Sequence, residues 1–291
     1  MVRSEGGQGT AVLCSGGLDS AVLLADVARR EAGRKRLRPE RGAKSAFAKA
    51  TARPRRSSES VGGSPSESER GWAASAKATA SCAEASRRRG PASTKRIVPI
   101  YVGVGLAWEQ EELAMLDRLL ATAPFRGVEP LQTLRFDMRD VYPPNHWAIR
   151  GEPPGFETPD EEVYLEGRNV VLLTKAAVFM ARASLARVYI GPLAGNPFPD
   201  ATPEFFETMA RALSLGLATS IEIAAPFAGL HKADVIALGH SLGVPLELTL
   251  SCMQPAGGLH CGRCSKCRER RDAFREGGIT DPTAYAVEPI R

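Results

Sequence analysis

The sequence predicts an α/β fold built on a doubly wound, five-stranded parallel sheet. Short β-rich runs alternate with stretches of helical periodicity along most of the 291 residues. The glycine-rich and polar motifs fall just after strand-like runs, where such sheets hold their ligands. A hydrophobic content of 43% supplies a sizeable core. Charged residues at 24% and a mean hydropathy of -0.17 describe a soluble chain.

Residues 9–14 (GTAVLC) read as a first strand ending in a glycine turn. Residues 18–29 carry Ala21, Leu24, Ala25 and Ala28 at helical spacing. Residues 97–104 (IVPIYVGV) form the second strand, 109–121 an amphipathic helix, and the alternation over 131–136 a third strand. The proline-rich stretch 142–159 is a loop too long to be an idle connection. A helix opens at Gly167 and Arg168 and runs to about residue 185, and 187–193 (RVYIGPL) is the fourth strand. Thr202 and Pro203 start the next helix as N-cap and first helical residue. Residues 220–224 make the fifth strand, and 232–242 the helix after it.

Charge is uneven along this framework. Residues 29–95 hold 18 basic against 6 acidic side chains, a balance of +12. The rest holds 20 against 27, a balance of -7, so the folded part is mildly acidic. In the basic stretch the large apolar anchors are Leu37, Phe47, Val61 and Trp72, too few to offset the entropy of ordering it. It is expected to be a disordered insertion. This divides the chain into 1–28 with 96–250 as the main domain, 29–95 as the insertion, and 251–291 as a C-terminal region. No apolar run approaches the ~20 residues of a membrane span, and the first residues carry no signal-peptide stretch. A cytoplasmic protein is expected.

Between the first strand and first helix lies Ser15-Gly16-Gly17-Leu18-Asp19-Ser20. Two glycines allow a tight turn that points successive amide N–H groups into one space, and the helix N-terminus adds its partial positive charge. The two hydroxyls add donors, so the loop suits a polyphosphate. It lacks the spacing and lysine of a Walker loop, and the spacing of a dinucleotide fingerprint.

Cys252, Cys261, Cys264 and Cys267 are spaced C-x8-C-x2-C-x2-C. Four thiolates so close suit tetrahedral zinc in a structural role, with a four-thiolate iron–sulfur cluster as the chemical alternative. Arg263, Lys266, Arg268, Arg270 and Arg271 are expected to offset the thiolate charge. His260 is a spare ligand that four cysteines make unnecessary. Cys14 reads as strand packing, and Cys82 lies in the insertion.

The six-residue loop resembles the pyrophosphate-binding S-G-G-x-D-S loop of the PP-loop ATP pyrophosphatases. With the cysteine site, it makes the chain resemble the 7-cyano-7-deazaguanine synthase family of nitrile-forming ligases in queuosine precursor synthesis. Gly167-Arg168-Asn169 matches that family's G-R-N. Pro199, Asp200, Pro203, Glu204 and Phe205 match its Y-P-D-x-x-P-E-F loop. Pro226 and Lys232 match its P-x-x-x-x-x-K helix start, and Leu242-Gly243-Val244-Pro245, Thr249 and Ser251-Cys252 extend the likeness. Two places depart from it. Gly105-Leu106-Ala107-Trp108 replaces G-Q-x-H, and Ala201-Thr202 replaces a Cys-Arg pair.

The resemblance implies an adenine nucleotide alpha-hydrolase-like fold, with ATP, Mg2+ and Zn2+ as cofactors. Ser15, Gly16, Gly17, Leu18, Asp19 and Ser20 would grip ATP phosphates, with Asp19 positioning magnesium. Lys232 would neutralise departing pyrophosphate. Arg168 and Asn169 would bind ribose, phosphate or carboxylate, and Asp200 and Glu204 the substrate's exocyclic nitrogens. Asp200 ranks above Glu204, because a glutamate just after Pro203 is equally explained by the helix dipole. The implied activity is ATP-dependent carbon–nitrogen ligation of a 7-deazapurine acid and ammonia, with Cys252, Cys261, Cys264 and Cys267 holding zinc. A diverged paralogue adenylating another carboxylate or amide is a second expectation. A zinc-containing RNA-binding protein using the basic insertion is a third, opposed by only 6% aromatic residues and the lack of paired CxxC ribbons. Small molecules are the expected partners, with no membrane and with a homodimer allowed.

Overall fold

Strand β1 (Gly9–Leu13) is buried along its whole length and faces two cores by strict alternation. Ala11 and Leu13 join one, Val12 and Cys14 the other, so helices must cover both faces. The computed structural model describes residues 9–33 and 95–287. Helix α1 (Leu18–Glu31) follows β1 and is buried over 21–27. Then come β2 (Arg96–Gly103), α2 (Glu109–Leu120), β3 (Gln132–Arg135), a short α3 (Trp147–Arg150) and α4 (Arg168–Ala183). The chain continues through β4 (Arg187–Tyr189), α5 (Pro203–Leu217), β5 (Glu222–Ala224), α6 (Lys232–Ser241) and α7 (Ser265–Glu276).

The five strands form one parallel sheet in the order β3-β2-β1-β4-β5. This is the expected α/β fold, and the direction of winding reverses between β1 and β4. Helices α4 and α5 line one face, while α1, α6 and α7 line the other. Pro99 stands in β2 opposite Val12. The missing N–H is tolerated there because β3 pairs only with residues 100–103, leaving the first half of β2 as an edge.

The expected insertion lies outside the described residues over 34–94. Its ends are described. Helix α1 continues through Glu31, past the expected boundary at 28, and Lys95 Nζ lies 3.6 Å from Glu31 Oε2. The two ends therefore meet where β2 begins, at the opposite end of the sheet from the carboxyl ends of the strands. Among the described residues no helix is long and apolar enough to cross a membrane.

Strand β4 is much shorter than the run 187–193 that the sequence suggests. In β4 the ladder stops at Tyr189, because Ile190 and Gly191 already turn onto the rim of the sheet. Helix α5 starts as expected, with the Thr202 hydroxyl accepting from Phe205 N at 3.2 Å. Two helices are not revealed by hydrophobic periodicity: the short α3, inside the stretch 142–159 read as a loop, and α7. The buried positions of α7 are Ser265, Cys267, Arg270, Ala273 and Phe274, so a cysteine and an arginine occupy core places.

Arg270 is fully buried. Its Nη2 donates to Leu246 O (2.7 Å), its Nη1 to Thr249 Oγ1 (2.9 Å) and Ser251 Oγ (3.1 Å), and its Nε to Thr283 Oγ1 (2.6 Å). One guanidinium thus ties the segment 246–251, and the tail at 283, to α7. Arg270→Met keeps most of the volume but removes all four of these hydrogen bonds at once. The expected cost is about 3 kcal/mol, read by chemical denaturation.

Candidate active site and metal centre

The loop after β1 can form only with glycine at its first turn. Gly16 has φ 74°, and a Cβ there would lie 2.9 Å from Glu112 O. The two serines brace the turn. Ser15 N donates to Ser20 Oγ (3.2 Å), Ser20 Oγ to Gly17 O (3.0 Å), and Gly17 N to Ser15 Oγ (3.3 Å). Leu250 N donates to Gly16 O (2.8 Å) and pins the loop from the far end of the chain. The first rung of α1 is Ala21 N to Gly17 O, so the amides of Leu18, Asp19 and Ser20 have no intrahelical acceptor. They face a cavity at the switch point, an arrangement that suits an anion.

Two adjoining cavities share this loop. Ser15, Gly17, Asp19, Arg168 and the 191–192 turn after β4 line both. The larger, about 360 Å³, holds the charges. Lys232 opens α6, where the helix dipole disfavours a cation. It lies 3.3 Å from Asp19 Oδ2 and pairs more closely with Glu269. Burial opposes the charge on Lys232, but these two carboxylates outweigh it and hold the ammonium above its ordinary range. Burial would likewise raise Glu269, yet Lys232 and Lys266 bring it down to about 2. Asp19 Oδ1 and Arg168 Nε are buried without a hydrogen-bond partner, and both groups line the cavities. Orphaned polar atoms of this kind suit a ligand that supplies the missing bonds.

The smaller cavity, about 250 Å³, is walled by Val163, Leu165, Leu172 and the stacked rings of Tyr164 and Phe198, 5.0 Å apart. Asn169 and Asp200 close one side as a unit. Asn169 N donates to Asp200 Oδ2 (3.0 Å), and its Nδ2 to Asp200 O (3.0 Å) and Oδ1 (3.3 Å). Burial raises the Asp200 carboxyl, with the Asn169 bonds opposing. Glu204 is exposed in the first turn of α5 and lines neither cavity. The dipole explanation accounts for it there.

Trp108 stands where the resemblance would place histidine. Its ring stacks on Trp147 from α3 at 5.8 Å, and the His146 ring stacks on Trp147 at 5.5 Å. The Trp108 indole N–H donates to Glu112 Oε1 (3.2 Å), and Tyr101 OH donates to Glu112 Oε2 (2.8 Å). Glu112 is buried, and desolvation lifts its carboxyl to about 7 despite the Arg168 charge nearby. The fold therefore favours protonated Glu112, whose stabilising contribution is full below the unfolded value of 4.5 and is lost as pH rises through 7. Glu112→Gln can keep both bonds, because the tyrosine hydroxyl can turn to accept. The wild type should lose about 2–3 kcal/mol more stability than the variant between pH 5 and pH 8, measured by urea unfolding at each pH.

The four cysteines converge as their spacing predicts. Their Sγ atoms all lie within 4.8 Å of one another, with 3.5 Å for Cys264–Cys267, 3.9 Å for Cys261–Cys267 and 4.0 Å for Cys252–Cys264. A tetrahedron with zinc–sulfur bonds of ~2.3 Å has edges of about 3.8 Å, so one ion fits. A cluster of several irons needs the sulfurs farther apart. Four of the five basic side chains expected to offset the thiolates are engaged with other partners. Lys266 pairs with Asp160 and Glu269, Arg268 with Thr158 O, Arg270 as described, and Arg271 with Asp272 and over the Phe156 ring. Backbone amides take that part. Cys261 N (3.2 Å) and Gln254 N (3.3 Å) donate to Cys252 Sγ, and Arg263 N to Cys261 Sγ (3.4 Å). His260 turns away from the ligand role, its Nε2 accepting from Ser251 N at 3.1 Å.

The structure thus brings the 15–20 loop, Lys232, Arg168, Asn169 and Asp200 to one region and leaves Glu204 outside it. It adds Glu112, Asp160, Lys266, Glu269 and the Trp108–Trp147 wall. Only the Lys266-x-x-Glu269 spacing hints at such a pair in the sequence, and there it reads as charge around thiolates.

These features define an α/β protein of the doubly wound parallel type, with a four-cysteine metal-binding region against its switch point. Known proteins narrow the class. A family model described as queuosine biosynthesis protein QueC matches residues 155–278. The 7-cyano-7-deazaguanine synthase of Methanothrix thermoacetophila is 33% identical over 198 residues, 64% of this chain and 86% of the relative. That of Acaryochloris marina is 38% identical over 134 residues, 43% of this chain and 59% of the relative. That of Methanoculleus marisnigri is 40% identical over 138 residues, 46% of this chain and 62% of the relative. The chain belongs to the 7-cyano-7-deazaguanine synthase (QueC) family. Its matches to the Acaryochloris and Methanoculleus relatives span about three fifths of their length.

Proposed function

We propose that this chain is an ATP-dependent ligase that converts 7-carboxy-7-deazaguanine and ammonia into 7-cyano-7-deazaguanine. One observation carries the reading within this family. A loop of unpaired amides, a partnerless buried carboxylate oxygen on Asp19, and Lys232 meet over one cavity. In this reading residues 9–31 and 96–250 carry the nucleotide site, and 251–287 the metal.

The amides of 18–20 and Lys232 take the β- and γ-phosphates, and their attraction grows as pyrophosphate leaves. A substrate carboxylate oxygen attacks the α-phosphorus, and the bond to the bridging oxygen breaks. Ammonia then adds to the acyl carbon, the C–O bond to AMP breaks, and a proton is lost, giving the amide. The amide oxygen attacks a second ATP in the same way, and loss of AMP with the two N–H protons leaves the nitrile. Arg168 faces both cavities and suits the α-phosphate or the carboxylate. Asp200, held by Asn169, keeps lone pairs to accept from ring and exocyclic N–H groups, while the walls of the smaller cavity suit a flat ring. Asp19 would hold magnesium, which screens phosphate charge. The four cysteines would hold zinc, whose closed site supplies structure rather than chemistry.

The test combines purified protein, ATP, magnesium, ammonium and 7-carboxy-7-deazaguanine, with products read by mass. The nitrile is expected. Pyrophosphate release with a different carboxylate or amide, and not with this acid, would replace the reading with that of a diverged paralogue. The departure at Leu106–Trp108 is where that paralogue would differ.

A further inference from the structure

We propose that Glu269 is a positioning residue for Lys232, so that the metal-bearing helix α7 completes the phosphate site. The inference rests on the nucleotide reading above and goes beyond the residues assigned there.

Lys232 stands between two carboxylates, Asp19 and Glu269. Glu269 is itself held from its other side by Lys266 Nζ (2.7 Å), and Lys266 reaches Asp160 Oδ1 (3.2 Å). All five side chains line the larger cavity. The two anchors of Lys232 are not equivalent. Asp19 sits in the loop, with its second oxygen free for a cation or a bound water. A carboxylate shared with a cation holds the ammonium more weakly, and a lysine tail with no second anchor is free to change rotamer. Glu269 then keeps Lys232 aimed at the leaving group. Glu269 owes its place to the metal site, since Cys264 caps α7 and Cys267 lies in its first turn.

A carboxylate beside a polyanion would otherwise only weaken binding, which gives the proposal a distinctive signature. Glu269→Gln removes a negative charge from the phosphate cavity, so binding of magnesium pyrophosphate should stay equal or tighten. Lys232 loses its aim, so the rate of pyrophosphate release should fall by roughly tenfold or more. Glu269→Asp should recover part of that rate. The measurements are calorimetric binding of inorganic pyrophosphate with magnesium, single-turnover release from ATP, and zinc content. A wild-type rate in Glu269→Gln would overturn the proposal. So would joint loss of zinc, pyrophosphate binding and rate, which marks a merely structural residue. Failure of the wild type to bind pyrophosphate overturns the nucleotide reading itself, and this inference with it.

Discussion

Asp19→Ala is expected to lose pyrophosphate release by roughly a thousandfold while keeping metal and fold. The carboxylate serves two functions in this site. One oxygen lies 3.3 Å from Lys232, and the other is buried with no partner. Removing both leaves phosphate charge unscreened, with nothing to replace them inside the cavity. The structural cost is small by comparison. An acidic residue in the first turn of α1 contributes about 0.3–1 kcal/mol through the helix dipole, and Lys232 keeps Glu269 as a partner. The variant should therefore melt within a few degrees of the wild type and retain its full metal content. Rate, melting temperature and elemental analysis decide it together. Loss of metal as readily as activity would contradict the separation of the two sites.

Cys264→Ser should do the opposite and lose metal, stability and activity as one event. Serine is a good N-cap, so α7 itself should still be able to start. The loss comes from the fourth thiolate, because metal affinity in such a site is folding free energy. A drop in melting temperature of about 10 °C is expected. Activity should follow because the four-cysteine site and the 15–20 loop are nearly continuous. Leu250, two residues before the ligand Cys252, donates to Gly16 O, while α7 carries Glu269 to Lys232. A metal-free Cys264→Ser protein with wild-type stability and rate would refute this connection.

Much of this was legible in the sequence, for physical reasons that differ from place to place. The sheet showed because β1 and β2 are nearly continuous apolar runs and β3 alternates. The loop showed because only glycine tolerates the backbone at Gly16, and the cysteines showed because spacing alone brings four thiolates together. Helix α7 stayed hidden because Arg270 and Cys267 fill positions that periodicity assigns to apolar side chains. The ion-pair chain through Glu269 stayed hidden because it joins α1, α6, α7 and the 160 region, which only the tertiary fold assembles. Glu112 gave no signal because burial, not neighbouring sequence, perturbs it. Glu204 matched a family pattern, yet the start of α5 turns it to solvent.

The claim that this chain activates a carboxylate by adenylation can be tested by following oxygen. 7-Carboxy-7-deazaguanine carrying 18O in its carboxylate is incubated with the protein, ATP, magnesium and ammonium, and the products are analysed by mass. The account predicts label in AMP, with one oxygen transferred in each of the two steps and none in pyrophosphate. Label in water or in inorganic phosphate, with AMP unlabelled, would contradict it.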